Sequence, residues 1–355
     1  MTRYGRLGAS SRQRCLIYRD ALRAAGIAAE IHPFLSDAYL CARYDGRPVS
    51  PAAILRSYGA RLRALLRLSR YDLVWIEKEA LPWLPAAIEI GFFRTAGTRV
   101  VVDYDDAVFH TYDRHRNILV RALLGAKIDR VMKAADLVIA GNAYLADRAR
   151  TAGARHIAEL PTVVDLRRYS PTLPCRKGGS AALTIGWIGS PLTSAYLDLL
   201  RPALIKLMAQ IPLRLLLVGA APTALAGFPV ERVAWSAESE AAEIARCDVG
   251  VMPLPDQPFE RGKCGYKLIQ FMAGARPVVA SPVGANCTLI IPGKTGFLAE
   301  EEAEWVAALA RLYHDPDLCG RMGQAGRRRV EDSYALAVAA PRLVALLRRT
   351  ARAEL

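Results

Sequence analysis

The stretch 262–299, GKCGYKLIQFMAGARPVVASPVGANCTLIIPGKTGFLA, limits what this chain can fold into more than any other. Its spacing predicts a glycine-bounded loop, a helix over about Tyr266 to Ala273, a buried strand Pro277-Val278-Val279-Ala280, and two glycine turns. Leu268, Ile269 and Met272 recur at the helical period of a core-facing stripe, and Gly274 follows as a stop signal. Gly262 and Gly265 would let the backbone approach a ligand at the helix start, where unpaired N–H groups favour anions. Lys263 and Lys267 sit in or beside that end, and Lys267 shares a face with Gln270 three residues on. A lysine and an amide on one face suit a phosphate next to a sugar hydroxyl. A capped surface helix with two solvated lysines fits the same letters.

The rest of the chain alternates apolar strands with helices on both sides of a Pro/Gly-rich segment, 165–182. Strands are expected at 27–34, 72–76, 98–102, 136–140 and 157–160 in the first half. In the second half they are expected at 183–189, 213–219, 230–235 and from 247. That alternation predicts an α/β fold of two doubly wound, Rossmann-like parallel sheets, and a length of 355 residues suits two domains. The boundaries expected are 1–170, 171–334, and a C-terminal helix over 335–355 that packs back on the first domain.

Three stretches of the first half hold candidate chemistry. GRLGASSR (5–12) is a small-residue loop feeding a helix at 13–25, an anion-binding arrangement in which Ser10 or Ser11 caps the helix and Arg12 adds charge. An ordinary capped turn reads the same way, and only about four residues precede the loop, so the first strand is very short or missing. Asp103, Asp105 and Asp106 stand at the end of a strand, where ligands of open α/β sheets bind. Caps and turns also use such residues, and Asp103-x-Asp105 matches the short, common DxD metal pattern of the GT-A class. Residues 51–69 form a helix with Arg56, Arg63, Arg67 and Arg70 on one face, either a membrane-lying helix or one packed on a sheet with its arginines in water. The apolar segment 80–94, with Trp83, Phe92 and Phe93, is a buried helix or part of a lipid-facing surface.

Composition excludes several classes. A hydrophobic share of 52% with 23% charged residues is globular, and no apolar run reaches the roughly 18 residues of a membrane span. No secretory signal is expected at the start. Seven scattered cysteines without a CxxC pair fit a reducing compartment and neither a zinc site nor a disulfide framework. The net charge is +14, and residues 1–170 carry 27 Lys/Arg against 17 Asp/Glu, or +10. This basic half suggests an anionic partner such as a membrane surface or a phosphate; a high-arginine, high-alanine composition also gives such a charge with no partner at all. No nucleic-acid motif accompanies it, so no nucleic-acid partner is expected.

The 262–299 stretch resembles the signature region of glycosyltransferase family 4, which has the GT-B fold. Gln270-Phe271-Met272-Ala273, Pro277–Gly284 and Gly293-Lys294-Thr295-Gly296-Phe297-Leu298 match its "EAMA-G-PVVAS-VGG" and "DG-TGFL" runs. RLGASSR, ADLVIAGN (135–142), LPTVVDLRRYSP (160–171) and GWIGSP (186–191) resemble its other elements.

The resemblance implies two Rossmann-like domains facing a central cleft. It implies a retaining, metal-independent transfer from a nucleotide-diphosphate sugar, UDP- or GDP-linked, to a polysaccharide, lipopolysaccharide or lipid-linked acceptor. No cofactor is implied, and the work would be cytoplasmic, peripheral at the inner face of the membrane. The catalytic residues carried over are Asp105, at the place of the family's histidine, and Lys267. The donor-binding residues are Gly8, Ser10, Arg12, Gly189, Glu260, Lys263, Gly265, Tyr266 and Gln270, the last in place of a ribose-binding glutamate. The chain departs from the pattern at Gly262, where the family has its first glutamate, and at Ser190, where an arginine is usual. These departures keep open an alternative: a non-catalytic nucleotide-sugar-binding or scaffold subunit.

Overall fold

A computed structural model describes residues 1–170 and 182–355; the prolines and glycines of the expected linker from Pro171 to Gly179 lie outside them. The described chain forms two compact units. The first comprises Met1–Thr162, Arg261–Cys264 and Leu336–Leu355, and the second Val163–Glu260 and Gly265–Ala335.

In the first unit, β1 (Thr2–Tyr4) pairs in parallel with β2 (Pro33–Leu35). β3 (Leu73–Glu77), β4 (Arg99–Tyr104), β5 (Leu137–Ala140) and β6 (Ile157–Glu159) form a parallel four-stranded sheet in that order. The Glu77 N–H donates to the Met1 carbonyl, tying β1 to β3. The first strand is therefore present and three residues long. Chain order runs outward from β1 to β2 and then, on the other side, from β3 to β6, so the reversal falls between β1 and β3. The carboxyl ends of strands beside such a reversal are where α/β folds bind ligands.

β3 to β5 are apolar on both faces because helices cover both. The C-terminal helix Leu336–Ala351 lies against β3 and β4 with Leu343 and Leu347 buried. The helix Pro51–Leu65 packs Leu65 and Arg61 inward, and Tyr58 meets the Phe34 ring edge-on at 4.9 Å. Arg61 is buried where an arginine was not expected; its Nη2 donates to the carbonyls of Thr2 and His32, stitching the helix to β1 and β2.

The second unit is a six-stranded parallel sheet in the order β12-β11-β10-β7-β8-β9. Its strands are β7 (Leu183–Ile188), β8 (Leu213–Val218), β9 (Val230–Val233), β10 (Val249–Met252), β11 (Val278–Ala280) and β12 (Gly296–Leu298). Side chains alternate across it. Ile185, Trp187, Leu215, Leu217, Val249 and Val251 face one core with the helices Arg201–Met208 and Glu302–His314. Ile188, Leu216, Val218, Met252, Val278 and Ala280 face the other, under the helix Tyr266–Ala273. The reversal falls between β7 and β10.

The helix Tyr266–Ala273 starts and stops where the spacing predicts. Its N-cap, Gly265, has φ of 65°, and an added Cβ would overlap Leu289 Cδ1. Close packing against protein is enough to require glycine there; at Gly262 the neighbour is likewise Ala107. Gly265→Ala is expected to destabilise the second unit by about 2 kcal/mol or more, from strained φ plus overlap. Chemical denaturation measures this, and an unchanged midpoint would contradict the packing.

Candidate functional site

Each unit gathers polar groups at the carboxyl ends of its strands. In the second unit these follow β7, the strand at the reversal. Lys267, in the first turn of the helix Tyr266–Ala273, lies with its Nζ 5.3 Å from the centroid of the Trp187 ring. A Cβ on Gly189 would come within 2.5 Å of that ring and 2.9 Å of Lys267 Cε. The absent side chain thus gives the lysine its path along the end of β7. The ring face steadies the ammonium, and ammonium and helix N-terminus together suit an anion.

Deeper in the same unit, the Tyr169 hydroxyl joins several groups. Gln270 Nε2 donates to it at 3.1 Å, it lies 3.3 Å from Glu240 Oε1, and the Tyr266 side chain is hydrogen-bonded to it. Burial, then Glu240, push the Tyr169 phenol upward, so it stays protonated. Glu240 also accepts from Trp235 Nε1 at 3.0 Å and pairs with Arg168 at 3.1 Å. Gln270, 2% exposed, is thus committed to an internal network. Glu260 is buried and accepts a hydrogen bond from the Tyr196 hydroxyl.

In the first unit the cluster stands beyond β3 and β4. Lys78 Nζ lies 3.0 Å from Asp105 Oδ1, 3.1 Å from Asp106 Oδ2 and 3.3 Å from Ser10 Oγ. Lys263 adds a longer contact to Asp106 at 3.9 Å. Burial works to raise the Asp105 carboxyl, but Lys78 and the Ser10 hydroxyl outweigh it and hold the group below its ordinary range. Lys78 is held above its ordinary value: burial opposes, and Asp105 and Asp106 prevail.

The backbone around Asp105 is fixed too. The Cys264 thiol donates to the Asp105 carbonyl, and Asn142 Nδ2 donates to the carbonyls of Gly262 and Lys263. Asp103 does not join this cluster. Its carboxylate takes Arg14 Nε at 2.8 Å and Nη2 at 3.2 Å, and Arg14 Nη1 donates to the Leu160 carbonyl. The two aspartates of the DxD pattern therefore answer to separate cations, and Asp103 is a core ion pair.

The N-terminal loop differs from its expected use as a phosphate cradle. The amides of Arg6 and Leu7 donate to the Asp37 carboxylate at 3.3 and 3.0 Å, so the chain supplies its own anion. Gly8 is the N-cap of the helix Ala9–Arg14, pressed on Tyr4, so neither serine caps it. Ser11 is buried and bridges the Tyr4 amide and Glu77, while Ser10 turns to Lys78. Arg12 Nη1 donates to the Arg6 carbonyl at 3.1 Å, bracing the loop.

Of the expected site residues, the structure brings Ser10, Asp105 and Lys263 together in the first unit. In the second it groups Gly189 with Lys267, and Tyr266 with Gln270. Gly8 and Arg12 serve their own loop, Gly265 its helix cap, and Glu260 a tyrosine. Lys78, Trp187, Tyr169 and Glu240 were not anticipated. A signal for Lys78 existed: Glu77-Lys78-Glu79 follows an apolar strand directly, and three consecutive charges there need partners.

Two parallel, reversed α/β sheets with these strand-end clusters are the GT-B architecture. The segment 182–315, which holds Trp187, Gly189 and Lys267, matches the family model described as glycosyl transferases group 1. The chain is 38% identical over 80 residues to a D-inositol 3-phosphate glycosyltransferase of Arthrobacter sp. (strain FB24), a match covering 22% of this chain and 18% of that protein. Matches to the curated relatives span about a fifth of those proteins' lengths, from 17% to 21%. Among solved structures, Anabaena HepE in complex with UDP aligns over 98% of both chains with a TM-score of 0.71 and 17% identity. Sucrose-phosphate synthase of Thermosynechococcus elongatus aligns over 86% of this chain and 81% of that one, with a TM-score of 0.64 and 19% identity.

Proposed function

We propose that this chain is a retaining, metal-independent glycosyltransferase that moves a sugar from a nucleotide-diphosphate donor to a polysaccharide, lipopolysaccharide or lipid-linked acceptor. The observation that carries the reading is Lys267, laid over Trp187 beside Gly189 at the carboxyl end of β7. A departing diphosphate gathers negative charge as the glycosidic bond breaks. A fixed ammonium and a helix N-terminus stabilise that charge without reorganising. The family model spans this segment and the UDP-bound HepE shares the fold, which supports a nucleotide-sugar donor.

In this reading Asp105, kept ionised by Lys78, accepts a hydrogen bond from a sugar hydroxyl. Gln270 and Glu260 contribute through the tyrosines that hold them. The work is placed in the cytoplasm, at the inner face of the membrane; among the described residues no helix is long and apolar enough to cross one.

A thermal-shift screen against UDP-, GDP- and dTDP-sugars tests the reading, because a ligand that binds only the folded state raises the melting temperature. One donor at about 100 times its Kd should stabilise the protein by roughly 2.7 kcal/mol. No shift with any donor would overturn the proposal. A second reading, a non-catalytic nucleotide-sugar-binding subunit, draws on the internal engagement of Glu260 and Gln270. Donor binding without transfer to any acceptor would favour it.

A further inference from the structure

The helix Ile118–Leu124, ILVRALL, is apolar on the side that faces away from the protein. Leu124 is buried and Val120, one turn before it, is half-buried, so these two form the inward stripe. Ile118, Leu119, Ala122 and Leu123 form the outward stripe, and Ile118, Leu119 and Leu123 are 68%, 66% and 71% exposed. A helix with apolar stripes on two opposite sides is ordinarily covered by nonpolar material on both. Here the first unit covers only one side.

The surroundings indicate what covers the other. Arg114, Arg116 and Arg121 are exposed, and residues 114–128 contain no aspartate or glutamate. Arg121 Nη1 donates to the carbonyls of His115 and Arg116, which sets the turn that presents the helix. Trp83, 46% exposed, packs edge-on against His115 and Tyr112 at 5.7 and 5.2 Å. An apolar stripe with a tryptophan and an arginine rim complements an anionic lipid surface, whose acyl layer takes the first and whose headgroups take the second.

Location adds a second argument. The Tyr112 hydroxyl contacts the Trp83 amide at 3.0 Å and Glu79 at 2.9 Å. Glu79 is next in sequence to Lys78, so the patch stands at the end of the sheet that carries the Lys78–Asp105–Asp106 cluster.

We infer that the helix Ile118–Leu124, with Trp83 and the arginines before it, enters the surface of an anionic bilayer and presents the Asp105 end of the first unit to a membrane-borne acceptor. The second half of this statement rests on the glycosyltransferase reading; the first does not. The segment 51–69, which the charge pattern also nominated for a membrane, turns Tyr58, Arg61 and Leu65 into the protein and is not needed for it.

Co-sedimentation of the full chain with phosphatidylcholine vesicles, with and without phosphatidylglycerol, tests the inference. The wild-type protein should bind the anionic vesicles at least ~10-fold more tightly than the neutral ones. Ile118→Ser/Leu119→Ser/Leu123→Ser should weaken binding to the anionic vesicles roughly tenfold or more. Arg114→Gln/Arg116→Gln should weaken it on anionic vesicles alone, with a smaller salt dependence. Because the three apolar residues are exposed, their removal should leave the melting temperature and its shift by a nucleotide sugar unchanged. Three results would overturn the inference: no binding of wild type to anionic vesicles, unaltered binding of the serine variant, or a wild-type dimer in solution that the serine variant dissociates. A nucleotide-sugar shift that persists beside any of them would leave the donor reading standing.

Discussion

A Lys78→Met protein is expected to be about 3–5 kcal/mol less stable at neutral pH than the wild type. Lys78 faces Asp105 at 3.0 Å and Asp106 at 3.1 Å with 9% of its side chain exposed, and Asp105 has 12%. Methionine keeps the volume and removes the charge, leaving a nearly buried carboxylate without its main counter-ion, the costly half of a buried ion pair.

The loss should depend on pH in a defined direction. In the wild type the Asp105 carboxyl lies below its ordinary range, so its charged form adds stability above that range, and the stability is lost only as pH falls below about 4. Without Lys78, burial pushes the carboxyl up, and protonation then relieves the variant as pH falls from neutral. Urea unfolding at about pH 7.5 and about pH 5 should show a deficit that shrinks at the lower pH. A deficit equal at both, or below 1 kcal/mol at neutral pH, would mean that the cluster is solvated and weak.

The second large effect is on the donor. Lys267→Ala should lower affinity for the nucleotide sugar by roughly 10- to 100-fold, the range for losing a hydrogen bond to a charged group. The rate of transfer should fall further, because charge on the leaving diphosphate grows in the transition state. Thermal stability should change little, since Lys267 is half-buried in the first turn of its helix. Calorimetry with the best donor of the screen, together with single-turnover rates, separates the two losses. A variant that binds and turns over as the wild type does would remove Lys267 from the account.

The sequence carried the architecture because strands and helices alternate with a strong period. The helix Tyr266–Ala273 and its glycine stop followed from three apolar positions alone. Residues 13–25 did not form one helix. The chain breaks at Cys15 into Ala9–Arg14, the turn Leu16–Tyr18 and Arg19–Ala24, with Arg14 drawn inward to Asp103 across 89 residues of sequence. No local pattern reports such a partner. The same holds for the site. Lys267 and Gly189 could be named from their motifs, but that the lysine meets the Trp187 ring is visible only in the fold. The loop 5–12 has the composition of an anion cradle, and only the fold shows that Asp37 already occupies two of its amides. Glycine, too, misleads when read alone. At Gly265 and Gly262 the missing side chain makes room for Leu289 and Ala107, a need that looks the same in sequence as room for a ligand.

Hydrogen–deuterium exchange with and without the tightest-binding nucleotide sugar tests most directly whether the diphosphate is held at the end of β7. Bound donor should slow exchange over residues 186–194 and 265–270, and Lys267→Ala should reduce that protection at equal occupancy. Saturating donor that leaves both segments exchanging as they do in the free protein would contradict the account.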